Sequence, residues 1–147
     1  MASVSIFVGS MYGNADNLAA EVKNKLISLG HDATVFEDGN IEQLKSADNV
    51  LFITSTTGSG DLPDNIQPLF QQMQSQFPML TSKKVGVIGL GDSSYGETFC
   101  GAGQQVDALV KELNATIPVE RLDIDACEHF EPWEPAAPWL MLWAAQL

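Results

Sequence analysis

Basic residues are scarce in this chain. Seven lysines and arginines stand against 19 acids, a formal net charge of −12, and none of them occurs before Lys23. That balance excludes nucleic acid as a partner, because binding it requires clustered cations that release condensed counterions. Long apolar runs are also missing: none approaches the roughly 18–20 residues that a membrane-spanning helix needs. The first residues, Met1-Ala2-Ser3-Val4, have neither a basic region nor a cleavage pattern, so no secretory leader is expected. Only two cysteines occur, Cys100 and Cys127. Without an export signal they are expected to be reduced thiols in a cytoplasmic protein, used as small buried hydrophobes. His31 and His129 are the two histidines, the first expected at a solvated turn and the second on the surface. Cys100, Cys127 and His129 lack a fourth convergent ligand, so no metal centre is expected. The motif G-x-x-x-x-G-K-[ST] is absent, which excludes a P-loop nucleotide hydrolase.

What is present is a repeating alternation of strand and helix signals. The 147 residues are 45% hydrophobic with a mean hydropathy of +0.02, consistent with one globular domain. Strands are expected at Val4–Gly9, Asp32–Phe36, Asn49–Ser55, Lys84–Gly89 and Ile117–Leu122, the last of edge type because Pro118 removes a ladder donor. Helices are expected at Asn14–Leu29, with Leu18, Val22, Leu26 and Leu29 on one stripe, and at Pro63–Phe77, with Ile66, Leu69, Phe70, Met73 and Phe77 inward. Further helices are expected at Phe99–Leu113 and Pro135–Gln146, with a turn or short helix at Asn40–Lys45. Trp139 and Trp143, four apart, share one face of the last helix and are expected in the core. Alternating elements with near-continuous apolar strands make an α/β fold, a doubly wound five-stranded parallel sheet of order 2-1-3-4-5 with helices on both faces. In such sheets ligands bind outside the carboxyl ends of the strands, at the switch point between strands 1 and 3.

That rule selects the loops after strands 1, 3 and 4, and all three have ligand-binding composition. The first is Gly9-Ser10-Met11-Tyr12-Gly13-Asn14-Ala15, leading into a helix. Backbone N–H groups and the helix dipole converge there on an anion. With no cation nearby, amides and hydroxyls must hold it, which points to a phosphate monoester. The second is Ser55-Thr56-Thr57-Gly58-Ser59-Gly60-Asp61-Leu62-Pro63, and the third runs Gly89-Leu90-Gly91-Asp92-Ser93-Ser94-Tyr95-Gly96-Glu97-Thr98-Phe99-Cys100. Glycines let the backbone approach a planar ligand closely, and Tyr95 can stack on one.

Together these motifs closely resemble the short-chain flavodoxins, above all the small YqcA-type and MioC-type members, over nearly the whole chain. The resemblance implies a flavodoxin-like fold, bound FMN and no catalytic residues of its own. It implies a phosphate on the amides of Ser10, Met11, Tyr12, Gly13, Asn14 and Ala15, with hydroxyls from Ser10 and Ser55. The isoalloxazine would lie between Thr56, Thr57, Gly58 and Gly60 on one side and Tyr95 on the other. Its pyrimidine edge would meet backbone near Leu90, Gly91, Asp92, Phe99 and Cys100. The chain has Tyr12 and Ala15 where many flavodoxins have hydroxyls, so phosphate binding leans on main-chain amides. It has Thr57 where many have Trp, which leaves one face of the flavin more exposed.

The resemblance further implies low-potential one-electron transfer. The Gly58 peptide is expected to turn and accept a hydrogen bond as the flavin takes up an electron and a proton, a flip glycine tolerates. A second electron adds negative charge beside the phosphate and the acids Asp61, Asp64 and Asp92. At roughly 10 Å and an effective dielectric near 20, each costs on the order of 1–2 kcal/mol before screening. The expected partners are a basic NADPH-dependent flavodoxin or ferredoxin reductase and an iron–sulfur or haem acceptor, docking on acids around the flavin edge, chiefly Asp61, Asp64, Asp92, Glu97 and the Asp125–Glu134 run, with the chain itself a monomer. From Glu120 to Glu134 six acids accompany one base, Arg121, and Trp133 is a possible partner contact there. The alternative is an FMN-dependent reductase acting on a small substrate such as a quinone, yet no His, Lys or Arg lies in the three loops to polarise one. A receiver-like interaction domain would need Asp at the end of strand 3, where Thr54-Ser55 stand.

Overall fold

Apolar runs with no polar alternation cannot leave either face of a sheet in water, and each of them here becomes a strand of one sheet. In the computed structural model, which describes residues 2–10, 13–57, 60–92 and 99–147, the strands are β1 Ser3–Gly9, β2 Asp32–Phe36, β3 Asn49–Ser55, β4 Lys84–Gly91 and β5 Leu122–Asp125. They lie in the order β2-β1-β3-β4-β5, every pair parallel, as expected. The helices are α1 Asn14–Ser28, α2 Ile41–Ser46, α3 Gln67–Gln76, α4 Gly101–Glu112 and α5 Trp133–Ala144. Side chains alternate between two cores. Ile6, Val8, Leu51, Ile53 and Ile88 pack under α1 and α5. Phe7, Val50, Phe52, Val85 and Val87 pack under α2, α3 and α4. No described helix is long and apolar enough to cross a membrane.

Several boundaries move from the sequence-based expectation, each for a local reason. α3 begins at Gln67, not Pro63, and Pro68 holds the first-turn place that suits a residue without an N–H. Residues 63–66 are instead a turn whose Asn65 is committed to strand ends elsewhere. Phe77 closes α3 in the left-handed conformation and is 50% exposed rather than inward. Leu29, expected on the buried stripe of α1, is its C-cap and is exposed. Cys100 caps α4 at φ 52, so that helix starts at Gly101 rather than Phe99. α5 starts two residues before the expected Pro135.

The largest correction concerns β5, which spans Leu122–Asp125 rather than Ile117–Leu122. Thr116 bridges to Lys84, and pairing resumes only where Leu122 meets Ile88. The intervening segment takes six steps against four on β4, so it bows out of the ladder at the residue that cannot donate, Pro118. Arg121 ties the bow down. Its guanidinium donates to both carboxylate oxygens of Asp123 at 2.8 and 3.2 Å and to Asp107 on α4 at 3.0 Å.

Trp139 and Trp143 stack at 6.4 Å between ring centroids, buried as expected. They sit on Gly86 of β4. A Cβ there would lie 2.7 Å from Trp139 Cη2 and 2.8 Å from both Leu51 Cδ2 and Trp143 Nε1. None of those neighbours is a loose chain end. Gly86→Ala is therefore expected to cost about 1–3 kcal/mol by overpacking, lowering Tm by roughly 2–10 °C. An unchanged Tm in thermal unfolding would contradict this packing.

Candidate functional site

Strand order reverses beside β1, so the chain leaves β1 and β3 toward opposite faces and opens a crevice above their carboxyl ends. A cavity of ≈ 690 Å³ occupies that crevice, within the range of small-molecule sites. Asn14, Asn17 and Glu21 of α1 form one wall; Ser55, Thr56 and Thr57 form another. Leu90, Gly91 and Asp92 at the end of β4, with Phe99 and Cys100, form the floor and third side. Of the residues singled out from sequence, nine meet on this cavity.

The remainder are placed differently. Ala15 is fully buried in the core under the sheet, so only its amide is available to a ligand. Ser10 and Gly13 lie at the entry to α1 without lining the cavity. The N–H of Gly13 donates to Ser10 Oγ at 2.9 Å, and the N–H of Ser10 donates to Asn65 Oδ1 at 2.9 Å. The Ser10 amide is thus already used, while its hydroxyl proton remains to be donated. Met11, Tyr12, Gly58 and Tyr95, together with Glu97 and Thr98, fall outside the described residues.

Gly60 is buried rather than lining the cavity. It lets the second loop rest on α4: a Cβ on the facing Gly101 would sit 2.7 Å from Gly60 Cα. Gln105 donates to the Gly60 carbonyl at 2.7 Å, and the Ala102 N–H donates to Thr56 Oγ1 at 3.3 Å. Thr57 and Asp61 exchange backbone hydrogen bonds, both 2.8 Å. These bonds tie Thr57 to Asp61 and anchor Thr56 and Gly60 to α4, which holds Thr56 and Thr57 against the cavity.

A fourth loop, expected from sequence only as part of an acidic partner surface at the flavin edge, completes the wall. Residues 126–132 follow β5, and Ala126, His129, Phe130, Glu131 and Pro132 line the cavity. The N–H of Ala126 donates to Gly91 O at 2.8 Å, and the amides of Glu128 and His129 donate to Asp125 O at 3.0 and 2.9 Å. Phe130 is 94% exposed, whereas Trp133, the expected surface aromatic, packs half-buried against the core. The misplaced β5 hid the part this loop takes in the cavity wall, because only a strand ending at Asp125 makes residues 126–132 a loop at a strand's carboxyl end. Asn65 was likewise missed, although an Asn directly after Pro63-Asp64 is a signal for side-chain hydrogen bonding to backbone.

The cavity wall carries acids and no cation: Glu21, Asp92 and Glu131 are present, and Lys and Arg are absent among the described lining residues. The two thiols differ sharply. Cys100 is fully buried, with Sγ 3.5 Å from Gly89 O and 3.9 Å from Ile124 O. Burial first, then the nearby Asp123 carboxylate, push its pKa from 9.0 up to about 12. Cys127 is exposed, contrary to expectation, and its thiol donates to Asp92 Oδ1 at 3.0 Å. Potential ligand atoms of Asp92, Asp125 and Cys127 lie within 4.8 Å of one another, the three-membered group found among the described residues.

The family model described as Flavodoxin matches residues 6–139. Flavodoxin YqcA of Escherichia coli K12 is 47% identical, over 100% of this chain and 99% of its own. Protein MioC of the same strain is 35% identical over 97% of each. Among solved structures, a cysteine-to-serine variant of a Pseudomonas aeruginosa flavodoxin superposes with a TM-score of 0.91 at 41% identity, covering 97% of both chains.

The thiol environments have a chemical consequence. Because the folded-state pKa of Cys100 exceeds the unfolded one, its contribution to stability holds below pH 9.0 and is lost as pH rises toward about 12. At pH 8 a disulfide reagent is expected to titrate one thiol per native chain, Cys127, and two in denaturant. Native labelling of Cys100 as fast as Cys127 would contradict the burial.

Proposed function

The chain belongs to the flavodoxin family, whose members are electron-transfer proteins rather than enzymes, and on that footing we propose that it carries electrons one at a time on FMN, from a basic NADPH-dependent reductase to an iron–sulfur or haem acceptor. The observation that carries this reading is the cavity at the switch point. One end meets the N-terminus of α1 with the Ser10 hydroxyl beside it; the other end is lined by backbone and apolar groups of β4. The donor set fits a phosphate monoester followed by a planar ring, because amides and hydroxyls gather at one end while the wall lacks Lys and Arg among its described residues.

In this reading, the first-turn amides of α1 (Asn14 and Ala15) and the hydroxyls of Ser10 and Ser55 hold the phosphate, and Gly13, at φ 91, turns the chain into α1. Thr56 and Thr57 hold one side of the ring, and backbone at Leu90, Gly91, Asp92, Phe99 and Cys100 holds its inner edge. Met11, Tyr12, Gly58 and Tyr95 join them as the family resemblance implies. FMN supplies one-electron chemistry when bound. Glu21, Asp92 and Glu131 oppose the accumulation of a second negative charge, each by on the order of 1–2 kcal/mol at roughly 10 Å and an effective dielectric near 20. Lys and Arg are absent among the described wall residues, but His129 lines the wall and can polarise a substrate, so NADPH oxidation, not the lining, separates the quinone-reductase alternative.

The docking surface follows from the fourth loop. Glu128, Glu131 and Glu134 are exposed around Phe130. A solvated aromatic inside a charged rim is the pattern of an interface anchor, and the charge of the rim selects a basic partner. We place the protein in the cytoplasm as a monomer.

Holo-protein reduced in advance and mixed with cytochrome c, a basic haem protein, is expected to reduce it with a second-order rate that falls at least about tenfold between 0.05 and 0.5 M salt. Replacing Glu128, Glu131 and Glu134 by Gln should flatten that dependence, and Phe130→Ala should slow the reaction while keeping it. A flat wild-type salt profile contradicts charge-steered docking. Sustained NADPH oxidation by the isolated protein would favour the reductase alternative.

A further inference from the structure

β1 pairs with β2 only as far as Phe7 opposite Phe36. Beyond that point the edge of β1 facing β2 has no ladder partner, yet the chain must continue in a fixed direction into the loop before α1. The side-chain amide of Asn65 takes the place of the missing strand. Its Nδ2 donates to Val8 O at 3.1 Å and to Glu37 O at 2.7 Å, and its Oδ1 accepts from the Ser10 N–H at 2.9 Å. A carbonyl and an N–H two residues apart on one strand edge are what the next peptide of a parallel neighbour would engage. Two acceptors and one donor around the side chain also permit only one orientation of the amide.

The consequence runs along the chain. Fixing the Ser10 N–H fixes the Ser10 side chain, whose Oγ accepts from the Gly13 N–H at 2.9 Å. Gly13, at φ 91, is the N-cap of α1. Asn65 thus sets the entry to α1 from a loop that belongs to β3, without lining the cavity itself.

We propose that Asn65 is the positioning residue of the phosphate loop, and that through Ser10 and Gly13 it gives the site its preference for the phosphorylated flavin over the unphosphorylated one. This rests on the FMN reading above. A residue needed only for folding would weaken both flavins alike. A residue that shapes the phosphate end weakens FMN and spares riboflavin, whose ring contacts lie on the Thr56–Thr57 and Leu90–Asp92 sides.

The test is titration of apoprotein with FMN and with riboflavin, read by quenching of flavin fluorescence. Asn65→Ala is expected to raise the FMN dissociation constant about tenfold or more, as loss of a strand-end hydrogen bond does, and the riboflavin constant less than about threefold. Equal weakening of both flavins, or an unchanged FMN constant, overturns the proposal. Amide hydrogen exchange on the wild-type apoprotein tests it without a variant. Ser10 is expected to be protected before any flavin is added, whereas Asn14 and Ala15 gain protection on adding FMN; fast exchange at Ser10 in apoprotein overturns the proposal. If wild-type protein binds FMN no more tightly than riboflavin, the phosphate assignment itself fails. If wild type discriminates and Asn65→Ala discriminates equally, only the role of Asn65 fails.

Discussion

The constraint on which the rest of the structure depends is the reversal of strand order beside β1. A parallel sheet with apolar side chains on both faces must be covered on both, so successive crossovers go first to one side and then to the other. At the reversal the ladder runs out on β1 while the chain is still heading out of the sheet. Backbone groups there need partners from elsewhere. Asn65 meets that need at β1, the Thr57–Asp61 bridge closes the loop after β3, and Ala126 binds back to Gly91 after β4. The cavity is the space these local solutions leave between them.

Its chemistry follows from what the chain has little of. With a net charge of −12 and no Lys or Arg before Lys23, an anion at the start of α1 must be held by helix amides and hydroxyls. A phosphate held that way keeps its charge. In the proposed carrier, that uncompensated charge and the wall acids Glu21, Asp92 and Glu131 act in one direction, against full reduction. In the same proposal, the acidity on the loop around Phe130 is where a basic partner docks. Cation scarcity therefore links cofactor binding, redox behaviour and recognition.

Much of this was legible in the residues. Strand order followed from the alternation of apolar runs with helix-patterned segments, and β2 and β3 fall where their sequences place them because a glycine, an Asn or a hydroxyl pair marks each boundary. What escaped was set by single side chains acting at a distance. Pro63 reads as a helix start, but Asn65 is drawn to Val8 and Glu37, delaying α3 to Gln67. Ile117–Leu122 reads as a strand by composition, but Pro118 breaks the ladder, and Arg121, held by Asp107 and Asp123, carries the segment around the bow. That shift concealed Phe130 and the fourth wall. The family resemblance gave Gly60 a place beside the flavin, and its packing against Gly101 could not be read until the neighbouring helix was in place.

The central claim is that FMN is gripped through neutral amides and hydroxyls inside an acidic protein, and the ionic-strength dependence of its dissociation constant tests that claim most directly. A phosphate paired with cations loses affinity as salt screens the attraction; one held by amides in a field of like charge does not. Measured on apoprotein from 0.05 to 0.5 M sodium chloride, the dissociation constant is expected to stay level or fall. A rise of about tenfold or more across that range, the signature of a screened ion pair, would contradict the account.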